Sequence, residues 1–220
     1  MATLEDIFPI LGLRVAAGDL ELRGIDDATL PALGALAVDG VVPEGRPMPF
    51  FVSWTEAPPE ELPANVARYH WSTRAEATPD RWTIELAVRV AGELVGVQSV
   101  HTSHFRTLRI GETGSWLGRR YQGRGIGTRM RQAMAALCFD HLGFEEVMSQ
   151  AYDDNPASQR VSAKVGFTDN GMLRKARQDG WQYSRSFRLT PDTFVRGVPI
   201  EVTGAAAVRR FLGIDEPPTQ

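Results

Sequence analysis

The residues with the clearest chemical potential are Gln122-Gly123-Arg124-Gly125-Ile126-Gly127, followed by Thr128. Glycines at alternate positions let a backbone turn tightly and aim several N–H groups at one ligand. Arg119, Arg120, Arg124, Arg129 and Arg131 crowd around them without an acid. This is the composition of a phosphate or pyrophosphate site, although the same arginines also read as a solvated helix face. Apolar residues at Ile126, Met130, Ala133, Met134, Leu137 and Cys138 share one face at helical spacing, so the loop opens a helix. The positive end of that helix favours an anion.

The preceding segments must carry this loop to its place. Trp82, Ile84, Leu86, Val88 and Val90 alternate with Thr83, Glu85, Ala87 and Arg89, which predicts a strand. Ala91-Gly92-Glu93 turns it into a second strand over Leu94 to His101, and a third runs from Arg109 to Leu117 into the loop. Upstream, Leu13 to Ala17 and Leu20 to Arg23 form two short strands about Gly18-Asp19. Asp26 or Asp27 caps a helix through Leu30, Leu33 and Leu36. Another helix is expected over Glu60 to Ala77.

Downstream, Gly143 ends the helix and Val147, Ser149 and Ala151 mark a strand. Asn155 and Pro156 start a second helix as N-cap and first residue, and Gly166 stops it. Phe167 to Leu173 and Trp181 to Leu189 form a closing hairpin through Asp179-Gly180. The order implies an α+β or mixed α/β sheet. Residues 1–197 are expected to form one domain. Residues 198–220 are read as an extension packed on it, with one strand, one helix and a frayed end.

The glycine spacing argues against two common phosphate motifs. A P-loop needs Lys and then Ser or Thr after its last glycine, and only Thr128 follows Gly127. A dinucleotide fingerprint wants a third glycine where Thr128 stands, and too little chain follows for paired βαβ units.

The pattern resembles the GNAT superfamily of coenzyme A-dependent N-acyltransferases, whose signature Q/R-x-x-G-x-G/A matches Gln122 to Gly127. Its RimJ/RimL-like branch carries E-x-G-y-W-L before the loop, matched by Glu112-Thr113-Gly114-Ser115-Trp116-Leu117. The branch's N-x-x-S and K-x-G-F are matched by Asn155-Pro156-Ala157-Ser158 and Lys164-Val165-Gly166-Phe167. These motifs cover Trp82 to Leu189; the N-terminal half fits less well.

The resemblance implies a mostly antiparallel twisted sheet of about seven strands, flanked by helices and splayed between the family's strands 4 and 5. In this chain those are the strands ending at Leu117 and spanning Glu146 to Tyr152. Acetyl-CoA or another acyl-CoA would lie in that opening. Its contacts would be Trp116, Leu117, Gln122, Gly123, Arg124, Gly125, Ile126, Gly127, Thr128, Asn155 and Ser158. The Leu117 N–H would meet the thioester carbonyl, an effect worth ~3 kcal/mol for one well-placed donor. The acceptor would be a primary amine, a protein N-terminus or a small molecule, attacking directly without metal or enzyme nucleophile.

Glu112 matches the branch's active-site Glu and is the expected base; a salt bridge with Arg109 or Arg106 is its structural alternative. His101 and His104 are rivals, better read as surface or packing residues. Many relatives place a Tyr acid where this chain has Ser162, whose hydroxyl can still donate a hydrogen bond to sulfur. Tyr152 and Tyr183 could also approach, so the acid stays open. Phe50, Phe51, Trp54 and Trp71, in a proline-rich segment from Val42 onward, line the acceptor end or belong to the core; Phe50 and Trp54 are the substrate candidates. Two alternatives to acetyl transfer stand: a succinyl- or other acyl-CoA donor, and a catalytically silent acyl-CoA-binding module, which the Ser162 departure favours.

Composition sets the outer bounds. The chain has 220 residues, 43% hydrophobic and 23% charged, with net charge −3. This suits one ordinary globular domain and gives no overall signal for nucleic acid. The single cysteine, Cys138, excludes an intramolecular disulfide and reads as a small buried hydrophobe. The N-terminus lacks a basic stretch and long apolar run, and no apolar stretch approaches a membrane span, so a cytoplasmic location is expected. Open sheet edges and the apolar segment favour a homodimer.

Overall fold

A computed structural model describes residues 1–216. The elements in chain order are α1 (Leu4–Ile7), β1 (Arg14–Ala17), β2 (Leu20–Gly24), α2 (Leu30–Val38), α3 (Leu62–Ala75), β3 (Arg81–Val90), β4 (Glu93–Ser103) and α4 (Phe105–Leu108). There follow β5 (Ile110–Leu117), α5 (Ile126–Ala136), β6 (Glu146–Tyr152), α6 (Pro156–Val165), β7 (Thr168–Arg177), β8 (Gly180–Leu189), β9 (Glu201–Thr203) and α7 (Ala205–Phe211).

All nine strands join one sheet, in the order β7-β8-β6-β5-β4-β3-β2-β1-β9, against the expected seven or so. Part of the excess comes from the C-terminal segment, because β9 pairs antiparallel with β1. Val208, Leu212 and Ile214 bury themselves beside it. Of the frayed end expected over Glu216 to Gln220, Glu216 donates its N–H to Gly213 O at 3.2 Å, and 217–220 lie outside the described residues. Every neighbouring pair is antiparallel except β5 with β6.

The two faces of the sheet are covered differently. On β3, Trp82, Ile84, Leu86 and Val88 are almost wholly buried in the cluster that includes Ile126, Met130 and Met134 of α5 and Leu137 just after it. Each such side chain contributes roughly 1.5–3 kcal/mol by leaving water. The opposite face carries Ala87 and Val97 under Leu30, Leu33 and Ala37 of α2 and Val66 of α3. The period-two pattern of β3 places Glu85 on that second face, and α3 buries it there.

Three local expectations shift. The N-cap of α2 is Thr29, while Asp26 acts one step earlier, its Oδ1 accepting from Thr29 N–H at 2.9 Å. After Ala136, α5 widens into a π-type segment over Leu137–Leu142 before Gly143 ends it. The closing hairpin is longer than expected, with Arg177 paired to Gly180. Among the described residues no helix is long and apolar enough to cross a membrane.

Candidate active site

The parallel pairing of β5 with β6 is confined to Ile110–Glu146, Gly111–Val147 and Glu112–Met148. Beyond it β5 runs on to Leu117 and β6 to Tyr152 without a common partner. Thr113 Oγ1 still reaches the Met148 carbonyl at 3.2 Å, at the point where the strands part.

Which backbone groups face the gap follows from register. Gly118 N–H donates to Val95 O at 2.9 Å, one step past the Gly96–Leu117 pair. Hydrogen-bonded and non-bonded pairs alternate along an antiparallel ladder, so Leu117 and Ser115 direct their N–H groups away from β4, towards β6. Asp153 N–H bonds Tyr183 O, and the same alternation turns Gln150 and Tyr152 towards β5. Two strand edges thus face each other inside an otherwise paired sheet, the Tyr152 carbonyl already accepting from Asn155 N–H at 2.9 Å. Such edges demand a partner, and an extended chain bearing amides would satisfy them.

The glycine loop lies at the mouth of this gap. Gly123 and Gly125 adopt φ of 74° and 78°, the left-handed region that β-carbons disfavour. Gly125 is the N-cap of α5, and nothing lies within 4 Å of a β-carbon placed on either glycine. The N–H groups of residues 123–127 donate to no other backbone carbonyl. The loop therefore offers free donors at a helix start with open space above them, which fits a pyrophosphate. The Gln122 side chain, in contrast, turns inward: its amide donates to Val41 O at 2.7 Å and Leu117 O at 2.9 Å. It ties the end of β5 to the loop after α2.

The arginine crowd separates on folding. Arg120 pairs with Asp39 at 3.0 Å, Arg129 pairs with Asp19, and Arg119 donates to Asp39 O at 3.3 Å. Arg131 is buried. Among the described residues, Arg124 alone of the five makes no hydrogen bond, only a ring contact with Tyr121 at 5.9 Å. The anion site read from five arginines narrows to this one and the backbone.

On the α2/α3 face of β5, Glu112 is half-buried, and its Oε2 accepts from Gln150 Nε2 across the gap at 2.9 Å. Its expected alternative partners lie elsewhere: Arg106 pairs with Asp80 at 3.0 Å, and Arg109 stacks on Phe105. His101 stands opposite Glu112 in the β4–β5 register and is exposed, while His104 caps α4. Two steps further along the same face is Trp116. Trp54 lies on it with ring centres 5.5 Å apart, and Phe50 lies on Trp54 at 5.4 Å.

Phe51 takes the other side, edge-on to Tyr152 of β6 at 5.0 Å. The proline-rich segment thus touches both strands where they diverge. Gln178 Nε2 on Glu56 Oε1 at 2.6 Å, and Arg177 on the Met48 carbonyl, strap it to the far hairpin. Trp71 is not part of this group; it sits half-exposed on α3 and donates to Asp27 at 3.1 Å.

The α5/α6 face holds what residue spacing missed. Arg131 is 6% exposed. Its guanidinium reaches Ser162 Oγ at 2.8 Å, with Ser149 Oγ and Ser115 Oγ each at 3.4 Å. Its Nε has no partner. Burial alone pulls its pKa down to about 10, so it stays a cation at neutral pH. The available signal was Gly127 one turn earlier, whose α-carbon faces Val161 of α6 and marks the flank that α6 covers. Gln150, holding Glu112, was likewise not anticipated.

Asn155 Oδ1 accepts from Ser158 N–H at 3.2 Å, capping α6 as expected. The two candidate phenols are engaged elsewhere: Tyr152 donates to Ala176 O at 2.9 Å, and Tyr183 lies exposed beside Trp181. Cys138 is fully buried, and burial raises its thiol pKa.

Known proteins resemble this chain in sequence and in fold. YdaF of Bacillus subtilis (strain 168), which carries the provisional name of a ribosomal N-acetyltransferase, is 29% identical over 91 residues. Those residues are 41% of this chain, and the match spans about half (49%) of that curated relative. The structure of Mycobacterium smegmatis RimJ in complex with a CoA disulfide superposes with a TM-score of 0.67 at 19% identity, covering 90% of this chain and 91% of that one. RimL, a ribosomal L7/L12 α-N-protein acetyltransferase in complex with coenzyme A, gives 0.63 at 19% identity over 80% of this chain and 97% of its own. At such identity these structures speak for the fold. The sequence profile of the acetyltransferase (GNAT) domain matches residues 19–168, well over half of the chain, and the chain belongs to that family.

Proposed function

We propose that the protein is an acyl-CoA-dependent N-acyltransferase that passes an acetyl group from acetyl-CoA directly to a primary amine. The observation that carries this reading is the end of β5–β6 pairing at Glu112 and Met148, with a glycine-lined helix start at the mouth of the gap. The pantetheine arm would complete the two open edges as a pseudo-strand beside Trp116 and Leu117. Gly123 to Thr128 and Arg124 would hold the pyrophosphate, with Asn155 and Ser158 bordering the arm.

Chemistry at the gap then needs little. The inward-turned Leu117 N–H polarises the thioester carbonyl and stabilises the tetrahedral oxyanion. Glu112, fixed by Gln150, takes a proton from the incoming ammonium directly or through water, and the neutral amine attacks. Both Glu112 and the Phe50–Trp54–Trp116 stack lie on one face of β5, which supports amine entry from that side. Relatives named as ribosomal N-acetyltransferases favour a peptide N-terminus over a small molecule.

The purified protein should release free thiol from acetyl-CoA in the presence of N-terminal peptides and acylate their α-amino group, read by mass spectrometry. Tight CoA binding with no transfer to any amine would leave a silent binding module instead. Acetyl-CoA should raise the melting temperature more than propionyl- or succinyl-CoA; the reverse order would replace the donor. The reading places the enzyme in the cytoplasm with the acyl-CoA pool. Met172, Trp181 and Tyr183 on the exposed β7–β8 hairpin support a homodimer, to be checked by sedimentation.

A further inference from the structure

A buried guanidinium ordinarily meets a carboxylate, because an uncompensated charge in a low-dielectric interior is costly. Among the described residues Arg131 has none within ion-pair distance; its partners are three serine hydroxyls from three elements. Those elements are the ones that form the gap. Ser115 lies on β5 three residues past the last parallel pair, Ser149 lies on β6 one residue past it, and Ser162 lies on α6. The cation therefore sits under the divergence of the two strands, with an unsatisfied Nε donor. The site is built to receive negative charge that the resting protein does not contain.

Transfer from an acyl-CoA creates such a charge there. The amine lone pair forms the C–N bond at the carbonyl carbon, the C–S bond breaks, and its electron pair leaves on sulfur. Glu112, having passed the ammonium's first proton on to water, takes the second from nitrogen as the C–N bond forms. We infer that Arg131, acting through Ser162, is a positioning residue that stabilises the departing coenzyme A thiolate, an inference that rests on the acyl-CoA reading above. Ser162 is wholly buried in the resting protein, where its Oγ accepts from the guanidinium at 2.8 Å; its single hydrogen is the donor that sulfur would meet once the pantetheine arm occupies the gap. Arg131 gives up no proton; its charge makes the serine hydroxyl a stronger donor. A phenolic acid is then unnecessary, which accounts for a serine at this position.

The test is the ionisation of coenzyme A bound to the enzyme, followed by thiolate ultraviolet absorbance against pH. The chain's own thiol, Cys138, is buried with its pKa raised, so it stays silent across this range. A free thiol titrates near ~8.5. Wild type should bind CoA and lower this by roughly one unit or more, as an opposite charge within reach does. Arg131→Met should return the thiol to its free value, with CoA affinity within a few-fold of wild type. Arg131→Lys should keep part of the shift. Should Arg131→Met fold poorly, Ser162→Ala removes the relay without burying a new charge and should abolish most of the shift. A purely packing role for Arg131 would leave the bound thiol unmoved between wild type and variants. CoA bound with its thiol at the free value, or a shift that survives in both Arg131→Met and Ser162→Ala, overturns the inference and spares the acyl-CoA reading. Failure of the wild type to bind CoA at all overturns both.

Discussion

Two pockets on opposite faces of the sheet each bury an ionisable side chain that has no counter-ion. Under α3, Glu85 is 7% exposed and accepts from the Tyr69 hydroxyl at 2.7 Å. Burial raises its pKa to about 7, against the hydrogen bonds of Tyr69 and Ser99. Beside it His70 is buried with an unpartnered Nδ1, and burial drops its pKa to about 4. Under α5 and α6, Arg131 is as deeply buried but remains charged, at about 10. A carboxyl or an imidazole can shed its charge and so limit the cost of burial; a guanidinium cannot. The α3 pocket accordingly reads as a structural one that neutralises itself. The α5/α6 pocket keeps its charge where β5 and β6 part, and Glu112 lies across the strand, held by Gln150 rather than by a cation.

The largest effect follows if charge in the gap is kept for chemistry. Glu112→Gln preserves size and the contact with Gln150 while removing the base. It should lower kcat by about 10²–10⁴, the usual worth of a positioned general base. Its melting temperature and CoA affinity should match wild type, because no ion pair is lost. Turnover by thiol release and CoA binding by calorimetry check this; undiminished turnover would take the base role away from Glu112.

In the α3 pocket the expected effects reverse. Glu85 has a folded pKa above its ordinary 4.5, so the folded state binds the proton more tightly. The resulting stability is fully present below pH 4.5 and is lost as pH rises through about 7. Glu85→Gln cannot ionise and should gain up to ~3 kcal/mol over wild type at pH 8, from 1.36 kcal/mol per pKa unit, and little at pH 4.5. Denaturant melts at the two pH values measure it, with thiol-release activity expected to stay at the wild-type level. His70 opposes this slope at the acid end: its lowered pKa means stability lost as pH falls from 6.5 towards 4. A pH-independent difference between Glu85→Gln and wild type would mean that Glu85 is not neutralised in the fold.

These contrasts mark where residue order was informative. Periodicity located β3 and α5, and residue type located the Asn155 cap, because each depends on neighbours within a few positions. The destination of Glu85 was hidden: its alternating position suggested a wet face, and only the packing of α3 across β3 buries it. Arg131 was hidden for a related reason. In the chain it is one of five arginines, and its separation from Arg120 and Arg129 depends on α6 and on the distant acids Asp39 and Asp19. The gap itself was visible through motif resemblance. The ending of its pairing at Met148 is a property of two strands more than thirty residues apart.

The aromatic residues allow the smallest and most local test of the same division. Trp54 and Trp71 share composition and a proline-rich surrounding, yet Trp54 stacks on Trp116 at the gap, while Trp71 bonds Asp27 beside the α3 pocket. Trp54→Ala removes the middle ring of the Phe50–Trp54–Trp116 series. An aromatic contact of this kind is worth about 0.5–1.5 kcal/mol beyond its buried area, so the KM for the amine should rise by up to about tenfold. The KM for acetyl-CoA should hardly change, because the glycine loop lies outside the series. Trp71→Ala should leave both constants alone and cost only stability, through the lost Asp27 hydrogen bond. An equal rise of the amine KM in the two variants would show that the acceptor surface extends over α3.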